Sequence, residues 1–274
     1  MASPGTAPRA ASGAAAGAAL LRLRPSSGVL LVAALLLLWE VSARTGMVDS
    51  PNWPPLTRVL MALARDTASG EIPALVGSTL ARMFTGLAAG AVVGIAMGLL
   101  FGASRIAQSI LGPTVELFRP IPIPAIIPPL VLFLGLDNGM KITVAAVTAF
   151  FPVLTNTAQG LRAVEADQIA MARTFGVSPW RRLFRVTLPA ILPYVLAGLR
   201  VALALALVTT VVAEMLAGEQ GVGHYLVLMQ FAGRAEEMYA AVLVLAALGY
   251  GLNRGFLWLE RRLIGWFFAT GRDG

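Results

Sequence analysis

The chain has 274 residues, 57% of them hydrophobic and 13% charged, and its mean hydropathy is +0.77. Soluble domains carry about 25% charged residues, so an ordinary soluble domain is excluded. Disorder, which needs low hydrophobicity, is excluded too, and a polytopic membrane protein is the default. Cysteine is absent and His224 is the only histidine, which excludes disulfides, iron–sulfur clusters, thiol nucleophiles and Cys/His zinc sites. The formal charge of +7 would suggest nucleic acid in a soluble chain; in a membrane chain it suggests basic cytoplasmic loops.

Residues 1–27 are small and low in complexity, with Arg9, Arg22 and Arg24, and read as a disordered cytoplasmic tail. The first apolar run, Gly28 to Ala43, is read as a span. Val41-Ser42-Ala43 also resembles a signal-peptide cleavage site, but Trp39 and Glu40 crowd it and cleavage would leave an odd number of spans. Pro54-Pro55 opens a short amphipathic surface helix with Leu56, Val59, Leu60 and Leu63 at helical spacing, and Ser69-Gly70 ends it.

The second span is expected over Ser78–Gly102. It contains Gly86, Gly90, Gly94, Gly98 and Gly102, each four residues after the last. This stripe lets a neighbouring backbone approach closely. It drifts about 40° per step around the axis, which suits a crossing partner better than a parallel one. Packing explains the stripe; a sliding interface is its functional variant. The third span, Val115–Leu136, contains Pro120, Pro122, Pro124, Pro128 and Pro129. Alternating prolines cannot sit in a regular helix. The segment is therefore expected to be bent or partly extended, near a cavity or the cytoplasmic rim. Pro122 and Pro124 are candidate pathway or gate residues, with a plain structural kink as the alternative.

The fourth span runs from Met140 to Gln159, the fifth from Ile191 to Ala217 and the sixth from Tyr239 to Trp258. The fifth carries Arg200 and Glu214, which are about 21 Å apart along a helix and cannot pair with each other. Intramembrane charges face a cavity or a partner. Both are candidate pathway or gate residues, with helix packing or snorkelling as the alternative. With the N-terminus inside, 14 arginines fall on the cytoplasmic side, and Arg44, Arg58, Arg65, Lys141 and Arg234 fall outside. This bias predicts six spans with both termini cytoplasmic.

Between the fourth and fifth spans lies the segment EADQIAMARTFGVSPWRRLFRVTLPAILP, Glu165 to Pro193. Ala166 to Phe175 reads as a short helix, with Gly176 as its left-handed C-terminal residue. Ser178 and Pro179 open a second helix. It places Trp180, Leu183, Phe184 and Thr187 on one face and Arg181, Arg182 and Arg185 on the other, and Leu188-Pro189 is expected to stop it. The result is a helix–turn–helix knob, which could lie on the membrane surface or dock in a partner's groove.

This segment resembles the cytoplasmic loop motif of permease subunits in binding-protein-dependent ABC importers. That motif is Glu-Ala-Ala, three residues, Gly, nine residues, Ile, one residue, Leu-Pro. Here Ala170-Met171-Ala172, Gly176, Val186, Leu188 and Pro189 keep the spacing, with Ala170, Met171 and Val186 as departures. The missing Glu removes any salt bridge from that position. Phe118-Arg119-Pro120-Ile121-Pro122, Phe151 to Thr157, Ala197-Gly198-Leu199-Arg200, Val212-Ala213-Glu214-Met215 and Gly221-Val222-Gly223 look like the nitrate/sulfonate/taurine branch, over about residues 30–265. That branch also includes importers for bicarbonate and vitamin precursors.

The resemblance implies an all-α, six-span permease domain over 28–265 with a type I importer, MetI-like fold, a coupling loop at 161–190 and a C-terminal tail at 266–274. It implies the translocation pathway for a small solute, an anion such as a sulfonate, taurine or nitrate being the first choice and a vitamin precursor the alternative. It also implies a second permease copy, cytoplasmic ATPase subunits, an extracytoplasmic substrate-binding protein and a bacterial inner membrane. The ATPase would meet Ala170, Ala172, Gly176, Ser178, Pro179, Trp180, Arg181, Leu188 and Pro189. The residues agree on one point: the chain has no P-loop, so ATP would be bound by the partner, and this chain is expected to bind no cofactor or metal. A membrane enzyme lacks a catalytic constellation, and His224 reads as a loop or gate residue. A self-contained secondary transporter often shows internal repeats, and none is visible.

Overall fold

The computed structural model describes residues 25–48, 50–164, 171 and 174–265, and these form helices and turns without strands. The expected N-terminal tail up to Arg24, the C-terminal tail and Ala170 and Ala172 lie outside the described residues. The chain divides into two compact units, Met1–Leu60 and Met61–Gly274. The first holds α1 (Pro25–Arg44), which starts three residues before the apolar run, and the first turns of α2 (Leu56–Ala68). Within it the Trp39 indole N–H donates to the Pro54 carbonyl, and Glu40 accepts from the Thr57 backbone N–H. The Trp39 and Trp53 rings lie 5.5 Å apart.

The second unit is built on α3 (Glu71–Ala103), α6 (Asn138–Ala163) and α8 (Leu188–Ala217). α6 is central: α3 packs on one side of it and α8 on another. A Cβ at Gly86 would lie 2.5 Å from Ala145 Cβ, and one at Gly98 would lie 2.6 Å from Thr157 Cβ. At Gly102 it would lie 2.6 Å from Leu161 Cβ. The two helices therefore run in the same chain direction and stay in contact along the whole stripe. This corrects the expected crossing. The row facing the glycines on α6, Ala145, Ala149, Val153, Thr157 and Leu161, also repeats every four residues. Both rows drift in the same sense, and a period longer than 3.6 keeps them together through a right-handed wrap. On the α8 side, Gly198 meets Asn156 and the Pro152 carbonyl, and Gly160 meets Tyr194, so α8 runs antiparallel to α6.

Among the described residues, four helices are long and apolar enough to cross a membrane: α3, α6, the run Trp180–Ala217 and α10 (Ala235–Leu263). The third expected span is not one helix. It is α4 (Arg105–Phe118) and α5 (Ile123–Leu134), bent by 95°, so the count reaches five if the pair makes one crossing. The expected bend is present, but the expected six spans are not counted. The break lies where proline is densest. Pro122 is extended and caps α5, and Pro124 sits in its first turn, where a missing N–H costs nothing. An apolar cavity of about 510 Å³ flanks the break, lined by Val93, Val115, Phe118, Ile126, Phe150 and Phe151 among others.

Before α8, α7 (Pro179–Arg182) leads through a π-helical turn, Leu183–Thr187, without interruption. Leu188-Pro189 was expected to stop this helix and does not. The Leu188 N–H donates to the Leu183 carbonyl, five residues back. Pro189 has no N–H to offer, and a widened turn relieves its ring's clash with the preceding turn.

Candidate functional site

Two regions at opposite ends of α8 concentrate the polar and exposed features. At its N-terminal end, Gly176 has φ +67°, the left-handed conformation expected of it. The Phe175 N–H bonds to the Met171 carbonyl, and the Ser178 carbonyl accepts from the Arg182 N–H. Trp180 and Phe184 stack at 6.1 Å. They are 72% and 59% exposed, and Met171 and Phe175 are exposed beside them in sequence. Arg181 is exposed, Thr187 is buried, and Leu183, Leu188 and Pro189 are half-buried. The expected apolar face is thus split: its inner residue seals against the membrane domain, and its aromatic pair is left uncovered. Aromatic side chains carry large apolar surface, and an exposed group of this kind marks a contact surface.

At the C-terminal end of α8, Glu214 is fully buried. It accepts from Arg82 Nη1 at 2.8 Å, from the Thr79 hydroxyl at 3.0 Å and from the Gly223 N–H at 3.1 Å. Thr79 Oγ1 accepts in turn from the Val222 N–H. Arg82, also buried, donates to the Gln220 carbonyl at 2.9 Å and to Asn138 Oδ1 at 2.6 Å. The pair therefore ties α3, α6 and α8 to the loop that begins α9 (Val222–Phe231). A Cβ on Gly221, which has φ +118°, would strike the Glu214 carboxyl group, and one on Gly223 would strike the Val211 carbonyl oxygen of α8. Two of the quoted motifs, Val212 to Met215 and Gly221 to Gly223, are thus one site. Its cation, Arg82, lies in the second expected span, and the sequence reading assigns it no role. A search for an opposite charge to each intramembrane residue would have found it.

Arg200 pairs with Glu260 of α10. Pro122 and Pro124 are exposed at the α4–α5 break, and no described polar partner joins them to Glu214 or Arg200. Lys141, expected outside the bilayer, is buried in the first turn of α6. His224, expected in a loop, lies in the first turn of α9. Within α9 the Tyr225 hydroxyl donates to Asp66 at 2.8 Å, and burial with that carboxylate pushes the phenol's pKa up. Arg65 and Arg234 both donate to Glu237, which fastens α2 to the start of α10.

The family described as binding-protein-dependent transport system inner membrane component matches residues 90–265. The chain belongs to this family of ABC transporter permeases. A protein of Bacillus subtilis named for aliphatic sulfonates transport is 30% identical to this permease, over 87% of each chain. The taurine transport system permease protein of Escherichia coli is 31% identical, over 86% of this chain and 87% of its own. The bicarbonate transport system permease protein of a Synechocystis strain is 29% identical, over 87% and 88%. In fold, the permease is similar to a chain of the methionine ABC transporter MetNI in an inward-facing conformation. The TM-score is 0.62 with 22% identity, over 70% of this chain and 95% of that one.

Proposed function

We propose that this permease forms, with a second copy of itself, the pathway of an importer for a small anion of the sulfonate or bicarbonate kind. A separate ATPase drives it, docking on the segment Met171–Pro189. The stacked, exposed Trp180–Phe184 pair beside the left-handed Gly176 carries the ATPase reading. It is a preformed apolar anchor on a helix that runs unbroken into α8, so a push on the anchor reaches Glu214 through one rigid element. The anion reading rests on the solutes for which the relatives are named, each bearing a sulfonate or carboxylate-like group. An extracytoplasmic binding protein delivers the solute. Both termini lie in the cytoplasm of a bacterial cell, as the arginine distribution argues. The Arg82–Glu214 cluster serves as the closure at the far end of the pathway.

Co-purification tests this. The ATPase subunit comes down with the wild type. Gly176→Val, which puts a β-branched residue at positive φ where no neighbour would touch its Cβ, weakens that association. Trp180→Ala/Phe184→Ala abolishes it. Unchanged ATPase association in both variants refutes the coupling role. A thermal-shift screen of the partner binding protein against sulfonates, taurine, bicarbonate and nitrate tests the solute class; a ligand without an anionic group refutes it.

A further inference from the structure

A groove of about 380 Å³ runs between α8 and α10. It extends from Arg200 and Asn253 at one end to Val211 and Leu245 at the other, passing Leu207 opposite Gly249. Apart from its Arg200 and Asn253 end, the lining is apolar. Three observations say what fits it. The first is an unmet donor: Arg200 Nε is buried and has no hydrogen-bond partner, although another nitrogen of the same guanidinium pairs with Glu260. A buried N–H left without an acceptor is costly.

The second is depth. Glu260 lies one turn from the end of α10. Beside it Trp258 is 58% exposed, with the Arg262 guanidinium 4.5 Å above its ring. Exposed Trp with Arg marks the headgroup level of a bilayer. The Arg200 guanidinium, held by Glu260, therefore reaches that level although its Cα lies deeper. The third is length. Arg200 and Val211 are 11 residues apart on one helix, about 16 Å at 1.5 Å per residue. Half of a ~30 Å hydrocarbon core is about 15 Å.

We propose that this groove holds one phospholipid with an acidic headgroup. A phosphate or ester oxygen accepts from Arg200 Nε, and one acyl chain lies along the groove to the bilayer midplane. Charge favours the acidic class, because Arg200 pairs with Glu260 and α10 carries Arg254, Arg261 and Arg262 close to that one carboxylate in sequence. Basic pockets between spanning helices bind acidic headgroups in this way. The inference uses only the membrane-spanning character of the chain and is independent of the transported solute.

The test is native mass spectrometry of the purified, delipidated full chain, titrated with phosphatidylglycerol and, separately, phosphatidylethanolamine. The wild type retains one phosphatidylglycerol and binds it at least tenfold more tightly than phosphatidylethanolamine. Arg200→Gln loses at least tenfold in affinity. Gly249→Leu, whose Cβ meets only Leu207 Cδ2 at 3.6 Å, fills the groove and loses as much while keeping the wild-type melting temperature and ATPase co-purification. Equal binding of the two lipids overturns the proposal, as does displacement by glycerol phosphate alone. So does unchanged affinity in Gly249→Leu, the result expected if another helix fills the groove. The ATPase readout on the same preparations shows separately whether the permease reading stands.

Discussion

The glycine seam between α3 and α6 gives a prediction whose sign is decided by two opposing effects. In a helix, Gly→Ala is intrinsically favourable by about 1 kcal/mol. At Gly86 the new Cβ would lie 2.5 Å from Ala145 Cβ and 2.6 Å from the Ile142 carbonyl oxygen. Carbon atoms rest about 3.5–4.0 Å apart, so the helices must separate there by about 1 Å. A gap of that size forfeits a quarter to a half of each contact's attraction. Because α6 offers backbone and a bare methyl at this point, nothing can rotate away. Overpacking of this kind costs about 1–3 kcal/mol, so Gly86→Ala should be less stable than wild type by up to about 2 kcal/mol net. Gly249→Ala meets only ordinary contact at 3.6 Å and should match or exceed the wild type. Gly102→Ala should fall between them, because it meets the Leu161 side chain, which can move. Thermal unfolding of the purified chain in detergent reads all three. A Gly86→Ala variant that melts at or above the wild type would refute the reasoning.

Glu214→Ala leaves the Arg82 guanidinium buried without its charge partner and should cost about 3–5 kcal/mol; Arg82→Met/Glu214→Leu should recover much of that, read by the same melts. If the double variant is as unstable as the single, the desolvation argument fails. Tyr225→Phe removes a hydrogen bond to the Asp66 carboxylate and should cost about 1.5–3 kcal/mol, whereas Tyr250→Phe, whose ring is exposed, should leave the melting temperature unchanged. Pro189→Ala supplies the missing N–H and should close the π-turn to an α-turn. The residues ahead of it, Trp180 included, then rotate by about 100°. ATPase co-purification should fall without loss of thermal stability, and normal co-purification would show that the turn does not set the anchor's direction.

Membrane character, helical class and family were legible in the sequence because they rest on local quantities. The apolar runs are long, Gly176 must carry a positive φ if the turn is to form, and the proline cluster forbids a straight helix over 115–136. Those expectations needed no partner. What the sequence left open was every feature that depends on which surfaces meet. The drift of the glycine stripe pointed to a crossing, but the matching four-residue row on α6 keeps the two helices together. Arg200 and Glu214 are too far apart along one helix to pair, and their partners, Glu260 and Arg82, come from other helices and lie 60 and 132 residues away in sequence. Pro189 looked like a stop because local rules remove a hydrogen bond there; the tertiary structure carries the helix past it by widening one turn. Low charge content by itself determined that this chain lives in lipid, since so apolar a surface cannot be covered in water. Only the packed structure decided how its few charges are neutralised, because in a low-dielectric medium each must find an opposite partner wherever the fold brings one.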